Sequence, residues 1–227
     1  MKKLFDPARG RAVPALLALA LLTAGVIGCD SDSTAPQDNA PALTEAGAAT
    51  QAGQIAKAMV QLGPEMLTFS QPAKTVYDRT FSGLIAGTVH LDFRLGGADG
   101  PSATWATGTW ARLYTDQGAP LVITIGDQGG TAQLGLDING VLNRVQDTAV
   151  INGGGTFASG PYSASFLFTD LAVAAAADYP GGGTLTFNAG TWVVTVTFDG
   201  TNIATMAVFG HGTWDVNLDT GEVTAHV

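Results

Sequence analysis

Three polar side chains that could contact a ligand, His90, Asp92 and Arg94, occupy alternate positions of the segment Val89–Leu95. Alternate residues of a strand point to one face, which places neighbouring members of the trio about 6.6 to 6.8 Å apart. Such a row could bind a ligand, or a metal ion if neighbouring strands supplied carboxylates. The row is equally typical of a solvent-facing surface on which opposite charges lie side by side, and we favour this second interpretation.

Elsewhere the sequence offers no pattern of catalytic residues. Ser163 and Ser165 lack the G-x-S-x-G turn of a nucleophilic serine and alternate with aromatic residues as ordinary strand positions do. Asp137, Asn139 and Gly140 supply fewer oxygen ligands than a Ca²⁺-binding loop requires. The sequence therefore predicts a protein that is not an enzyme and holds no cofactor or metal, with an uncharacterised hydrolase as the alternative.

The single cysteine of the chain, Cys29, follows a segment that has the composition of a secretion signal. The chain begins with several basic residues, and an uncharged apolar run follows at 13–26. A helix of that length would span roughly 21 Å, short of the ~30 Å hydrocarbon core of a bilayer. A cleaved signal therefore fits this segment better than a permanent membrane span.

The residues that close this signal, Val26-Ile27-Gly28-Cys29, resemble the lipobox of bacterial lipoproteins. The resemblance covers residues 1–29 and implies cleavage before Cys29, attachment of diacylglycerol to its thiol and acylation of the new amino terminus by a fatty acid such as palmitate. Two or three acyl chains give stable membrane anchoring where one is marginal. The alternatives are an ordinary secretion signal with an incidental cysteine and an uncleaved signal anchor.

A polar spacer follows the cysteine. Residues 30–41 contain three aspartates, two prolines and no large apolar side chain, which is typical of a disordered tether. Fully extended, the spacer reaches ~40 Å. Asp30 leaves open whether the anchor lies in the inner or the outer membrane of the cell envelope.

The net charge of the chain excludes some classes of binding partner. Removal of residues 1–28 takes away four of the ten basic and one of the nineteen acidic residues and leaves a net charge of −12. Such a chain is repelled by nucleic acid and by anionic lipid head groups. We therefore divide the sequence into a cleaved signal at 1–28, a lipidated cysteine and tether at 29–41, and a single β-rich domain at 42–227.

The domain begins with a predicted helix at 43–62, which Gly63-Pro64 ends. One face of this helix carries apolar residues at spacings of three and four, namely Ala48, Ala52, Ile55, Ala56, Met59 and Leu62. We expect the face to pack on a sheet or to close one end of it.

From about residue 75 onward, apolar residues recur with a period of two, as in Val89, Leu91 and Phe93. The absence of crossover helices from the pattern excludes parallel βαβ units. The sequence predicts an all-β fold: an antiparallel meander of roughly ten to twelve strands in a curved, barrel-like or half-barrel sheet with one N-terminal helix. A two-sheet β-sandwich is the alternative.

Two local motifs give more detailed predictions. Asp199-Gly200 predicts a two-residue type I′ hairpin turn that pairs Val196 with Ile203 and Val194 with Thr205. The tripeptide Gly-Thr-Trp occurs three times and predicts strand starts at which tryptophan contributes buried area. The tryptophans concerned are Trp110, Trp192 and Trp214.

Two functions remain open for the domain. The first is a binding module that holds a hydrophobic or amphiphilic small molecule in its concave side or mouth. The second is a structural or interaction protein of the cell envelope that contacts another protein or a glycan. In both, the partner of Cys29 is the lipid bilayer, and the binding module would use a lining formed by Trp105, Trp110, Trp192 and Trp214.

The lipobox interpretation predicts the fate of a Cys29→Ser chain expressed in a bacterial host. Without the thiol the chain cannot be acylated, and we expect it to retain residues 1–28. Intact-mass spectrometry of membrane-extracted wild-type and variant protein measures both properties. Two masses that differ only by the substitution itself would contradict the interpretation.

Overall fold

The computed structural model describes residues 42–68, 76–95, 98–99, 108–125 and 130–226. All of these residues belong to one compact unit, Ala40–Val227. Cys29 and the remainder of the predicted signal and tether lie outside the described residues, as does Trp105.

The first element is a helix, α1 (Glu45–Leu62), which a short 3-10 helix at Gly63–Leu67 continues. This confirms the predicted helix, which begins slightly later than expected because Thr44 caps it. The side-chain oxygen of Thr44 accepts a hydrogen bond from the backbone N–H of Gly47 at 3.1 Å and satisfies a donor of the first turn.

Thirteen β-strands follow within the described ranges, and their apolar residues alternate between buried and outward positions as predicted. They are β1 (Val76–Phe81), β2 (Ile85–Leu95), β3 (Ala98–Asp99), β4 (Thr109–Tyr114), β5 (Leu121–Ile125), β6 (Gly130–Asn143), β7 (Thr148–Ser159), β8 (Tyr162–Ala174), β9 (Gly182–Ala189), β10 (Trp192–Thr197), β11 (Ile203–Val208), β12 (Thr213–Asn217) and β13 (Val223–Ala225).

The strands form one antiparallel sheet in the order β1-β2-β4-β6-β7-β8-β9-β10-β11-β12-β13. The short β3 pairs with β2, and β5 pairs with both β2 and β6. Hydrogen bonds thus close a ring through β2, β4, β6 and β5, so the sheet is curved without forming a clean barrel. The predicted antiparallel meander with an N-terminal helix is confirmed, and the strands join one sheet instead of the two of a sandwich.

Strands β4 and β5 lie end to end between β2 and β6. Tyr114, the last residue of β4, pairs with Asp137, and Leu121, the first of β5, pairs with Leu134. Between these two pairs, the chain of β4 and β5 is seven residues long, whereas the matching part of β6 is three residues long. The segment Thr115–Pro120, which we call the excursion, accommodates the difference, and at its start the backbone N–H of Thr115 still donates to the carbonyl oxygen of Leu136 on β6 at 3.0 Å.

The curved sheet surrounds α1 on more than one side. The helix contacts β9 to β13, and its residues Lys57 and Ala58 also lie beside Ile85 and Ile123 of β2 and β5. All six residues of the predicted apolar face are buried. No helix among the described residues has the length and apolar character needed to cross a membrane.

Burial of α1 extends beyond the predicted face because small residues let the sheet approach closely. Gln51 and Gln54 are also buried. A Cβ atom on Gly53 would lie 2.9 Å from Cγ1 of Val223 and 3.1 Å from the carbonyl oxygen of Gly221, both in or beside the last hairpin. Burial therefore extends beyond the predicted apolar face to most of the circumference of the helix, and Ala46, Thr50 and Gln61 stay exposed.

Two of the Gly-Thr-Trp motifs hold the start of the helix. All three motifs begin strands, namely β4, β10 and β12, as predicted. The indole N–H of Trp192 donates to the carbonyl oxygen of Leu43 at 2.8 Å, and that of Trp214 donates to Oε1 of Glu45 at 3.2 Å. Buried indoles need such acceptors, and here the acceptors belong to the residues around the helix start.

The predicted register of the β10–β11 hairpin is wrong. Val194 pairs with Val208 and Val196 with Met206, so the loop between the strands is longer than two residues. Asp199 does not sit in a type I′ turn, because that turn requires a positive φ at both central residues and only Gly200 of the pair has one. The carboxylate of Asp199 instead accepts hydrogen bonds from both the backbone and the hydroxyl of Thr201. The shift buries Ala204, Met206 and Val208 and leaves Ile203 38% exposed.

Strand β7 carries three consecutive glycines where neighbouring backbones lie too close for side chains. A Cβ atom on Gly155 would overlap the carbonyl oxygen of Gly135 on β6, and one on Gly154 would overlap that of Phe166 on β8. Gly153 follows the point at which the pairing register of β7 and β8 shifts. These glycines allow β6, β7 and β8 to curve together.

This close approach predicts that Gly155→Ala lowers the free energy of unfolding by about 1–3 kcal/mol, the usual cost of overpacking. Urea denaturation of the variant and the wild type measures the change. Gly181→Ala is the matched control, because its Cβ would meet nothing within 4 Å, and we expect a change within about 0.5 kcal/mol. Equal losses in both variants would contradict the close-approach argument.

Candidate functional site

The predicted trio lies on the outer face of β2, as the alternation requires, but it does not form one site. Val89, Leu91 and Phe93 are buried in the core, and His90, Asp92 and Arg94 point the other way. His90 contacts carboxylates from other elements, whereas Arg94 pairs with Asp92 at 3.0 Å within the strand. The row therefore divides into two separate ionic groups.

His90 bridges two carboxylates. Its Nδ1 lies 2.8 Å from Oδ1 of Asp78 on β1, and its Nε2 lies 3.2 Å from Oδ2 of Asp116 in the excursion. The hydrogen bond to Asp78 is the main cause that raises the pKa of His90 above its usual 6.5, burial opposes it, and Asp116 adds to the rise. Both ring nitrogens are engaged, and the described residues contain no group of histidine, cysteine or carboxylate side chains that could hold a metal ion.

The arginines of the outer face are paired and stacked on aromatic rings. The guanidinium of Arg94 lies 5.0 Å from the ring centre of Trp110. Arg112 lies 4.5 Å from the ring centre of Tyr114 and donates two hydrogen bonds to Asp137, at 2.7 and 2.8 Å. The Arg112 hydrogen bond lowers the pKa of Asp137. These contacts support the interpretation of the trio as part of a charged, solvent-facing surface.

A polar cleft of about 540 Å³ lies beside the excursion on this outer face. Its lining includes Arg112, Asp116, Gln133, Asp137 and Thr156. Arg112 and Asp137 pair with each other, and Asp116 pairs with His90. The charged groups of the polar cleft therefore already have partners within the protein.

A second cleft, which we call the helix-start cleft, lies between the beginning of α1, the end of β5 and the β7–β8 turn. Its volume is also about 540 Å³, within the 300–1,000 Å³ typical of small-molecule sites. Apolar groups dominate its walls, with Leu43, Ile125, Pro161 and Tyr162 facing the helix residues Gly47, Thr50 and Gln51. This is the composition expected of a site for a mainly apolar molecule.

One buried polar atom, on a residue that lines the helix-start cleft, has no partner among the described residues. Gln51 is 8% exposed, and its Oε1 accepts no hydrogen bond from any described residue. The nearby Gln54, in contrast, donates to the carbonyl oxygen of Gly221 at 3.2 Å. A buried acceptor without a donor costs about 1–3 kcal/mol, and this oxygen itself has almost no accessible surface.

The three described tryptophans of the predicted lining do not lie together around one cleft. Trp192 and Trp214 pack against the core and hold the start of α1, and Trp110 supports Arg94 on the outer face. None of these three lines the helix-start cleft. Gln51 was overlooked because its position among alanines gives no sign that the sheet also covers that side of the helix.

Comparisons with protein-family models, with curated proteins and with solved structures return no match.

The geometry of His90 predicts a pH-dependent contribution to stability. Because the folded-state pKa is raised, the contribution is fully present below about pH 6.5 and is lost as the pH rises through the folded-state value. We expect His90→Gln to lower the free energy of unfolding by up to about 1 kcal/mol near pH 5.5 and by less near pH 8.5. Urea denaturation at the two pH values measures this.

Asp78→Asn provides the matched variant, since it removes the principal partner of the same imidazole. We expect Asp78→Asn, like His90→Gln, to lower the free energy of unfolding more near pH 5.5 than near pH 8.5. A loss in His90→Gln that is equal at the two pH values would contradict a protonated His90 in the folded protein.

Proposed function

We propose that this chain is a lipoprotein of the bacterial cell envelope, anchored to a membrane through acylated Cys29, whose domain binds a hydrophobic or amphiphilic small molecule. The helix-start cleft is the binding site. Its size and its apolar walls are the observation that carries the proposal.

The unpartnered oxygen of Gln51 supports an amphiphilic ligand in particular. An apolar body would cover Leu43, Ile125 and Pro161. A hydrogen-bond donor on the ligand would pair with Oε1 of Gln51 after this side chain turns toward the cleft, because the oxygen has almost no accessible surface in the structure. The proposed role is binding, and the charged groups beside the polar cleft are paired as Arg112 with Asp137 and Asp116 with His90.

The alternative, an envelope protein that contacts another protein or a glycan, draws support from the outer face. Val141 and Val150 are 54% and 44% exposed and pair across β6 and β7, and Val141 also pairs with Trp110 of β4. This apolar row is short and lies beside charged side chains. The helix-start cleft offers an apolar ligand walls from both the helix and the sheet, and we therefore favour the binding role.

A variant that fills the helix-start cleft tests the proposal. Thr50 is exposed and lines the cleft, so we expect Thr50→Phe to weaken binding of the apolar fluorophore N-phenylnaphthylamine at least tenfold, about 1.4 kcal/mol. Fluorescence titration measures the dissociation constant. Ala46→Phe is the matched control, since Ala46 is an exposed residue of the same helix that does not line this cleft.

Gln51→Met separates an amphiphilic ligand from a purely apolar one. The side chain keeps its length and loses the acceptor, so we expect weaker binding of N-phenylnaphthylamine, which carries an N–H group, and unchanged binding of a naphthalene hydrocarbon. Wild-type protein that binds neither probe and carries no small molecule from its host would favour the interaction role instead.

A further inference from the structure

The two ends of the domain differ in charge. In an antiparallel meander successive turns alternate between the ends, so the turns after β6, β8, β10 and β12 share one end. These turns contain five acidic residues and a single basic one, which is paired with an acid. The residues are Arg144, Asp147, Asp178, Asp199, Asp219 and Glu222.

The other end, which we call the tether end, has uncharged turns among the described residues. It comprises the turns after β1, β7, β9 and β11, which contain neither carboxylate nor lysine or arginine. Their one titratable side chain, His211, lies 3.3 Å from the carboxylate of Glu45 at the start of α1. Asp127 of the β5–β6 connection lies outside the described residues.

Two turns of the tether end carry exposed apolar side chains without a charged neighbour in the turn, whereas Val145, the exposed apolar residue in the β6–β7 turn of the acidic end, lies in the same turn as Arg144 and Asp147. Phe209, in the turn after β11, is 83% exposed, and Leu84, in the turn after β1, is 53% exposed. Hydrogen bonds hold the backbone of this turn. The N–H of Phe209 donates to the carbonyl oxygen of Val193 at 2.9 Å, and the N–H of His211 donates to the carbonyl oxygen of Val208 at 3.0 Å. A fixed, exposed phenylalanine is suited to insertion at a lipid interface.

The tether end is also where the chain from Cys29 joins the domain. Trp192 and Trp214 fix the start of α1 there, and the residues from 29 to 41 that precede the described part span at most about 45 Å. Tethering of this kind keeps a weakly inserting surface at a high effective concentration near the membrane.

From this placement we propose that the domain docks on the lipid bilayer through the tether end, with Phe209 in the interface and the acidic turns directed away. The inference rests on the proposed function, since the anchor at Cys29 fixes which end is tethered. β6 contains 14 residues and extends about 45 Å. Near Phe209 the strands β10 to β12 contain five or six residues and extend about 17–20 Å. The acidic turns therefore lie from about two Debye lengths, each ~8–10 Å, beside these short strands to about five beside β6 from a surface at the opposite end.

Docking in this orientation places the helix-start cleft against the membrane. The β7–β8 turn with Pro161 and Tyr162 forms one wall of the cleft and belongs to the tether end. A molecule of the lipid phase could then enter the cleft without crossing water. The bilayer is thus both the docking partner and the source of the ligand.

Site-specific quenching tests the orientation without relying on acylation. The mature chain from residue 29 carries Cys29→Ser and an N-terminal hexahistidine tag, and is bound to phosphatidylcholine vesicles that contain a nickel-chelating lipid. A single introduced cysteine is then the only thiol. An environment-sensitive fluorophore is attached at Thr191→Cys, in an exposed turn of the tether end, or at Ala176→Cys, in an exposed turn of the acidic end.

We expect acyl-chain spin-labelled lipid to quench the fluorophore at Thr191→Cys at least threefold more than the one at Ala176→Cys. Adding Phe209→Asp to the Thr191→Cys chain should remove most of this difference. Equal quenching at the two positions, or quenching that Phe209→Asp leaves unchanged, would overturn the docking inference. Failure of acylation at Cys29 would leave this readout intact, because the nickel lipid supplies the anchor.

Discussion

The enclosure of α1 by the sheet is the constraint on which the rest of the structure depends. Eleven of the residues of this helix are buried, so the sheet must curve around it. Alanine and glycine make the curvature feasible, since Gly53 touches the last hairpin and Gly63 would meet Val173 on β8 with any larger side chain. At the same time Gly154 and Gly155 let β7 approach its neighbours. The burial of the helix and the glycines of β7 therefore depend on each other, because the sheet can curve around the helix only where its strands lie close together.

The sequence predicted the elements well and their long-range relations poorly. The helix, the period-two strands and the strand starts at the Gly-Thr-Trp motifs depend on local spacing of residues, which is why they could be predicted from the sequence. The β10–β11 register could not, because it depends on side-chain hydrogen bonds of Asp199 that compete with the hairpin turn. Likewise, the end-to-end placement of β4 and β5 depends on pairing with β2 and β6, distant in the chain.

The candidate site illustrates the same limit. His90, Asp92 and Arg94 are conspicuous in the sequence, yet each finds an ionic partner and together they make a stable, solvated face. Gln51 is inconspicuous, yet its buried oxygen lacks a donor. A group that the fold leaves unsatisfied is a better indication of ligand chemistry than a group that is merely charged, because only the former gains a hydrogen bond when a ligand arrives.

The attachment of the helix start also determines the order in which the molecule can assemble. Leu43 and Glu45 are among the first residues of the domain to be made, but their indole partners on β10 and β12 follow 149 and 169 residues later. Contacts of such sequence separation form slowly. A chain that emerges from its N-terminus therefore keeps an incomplete core until its last hairpins are available.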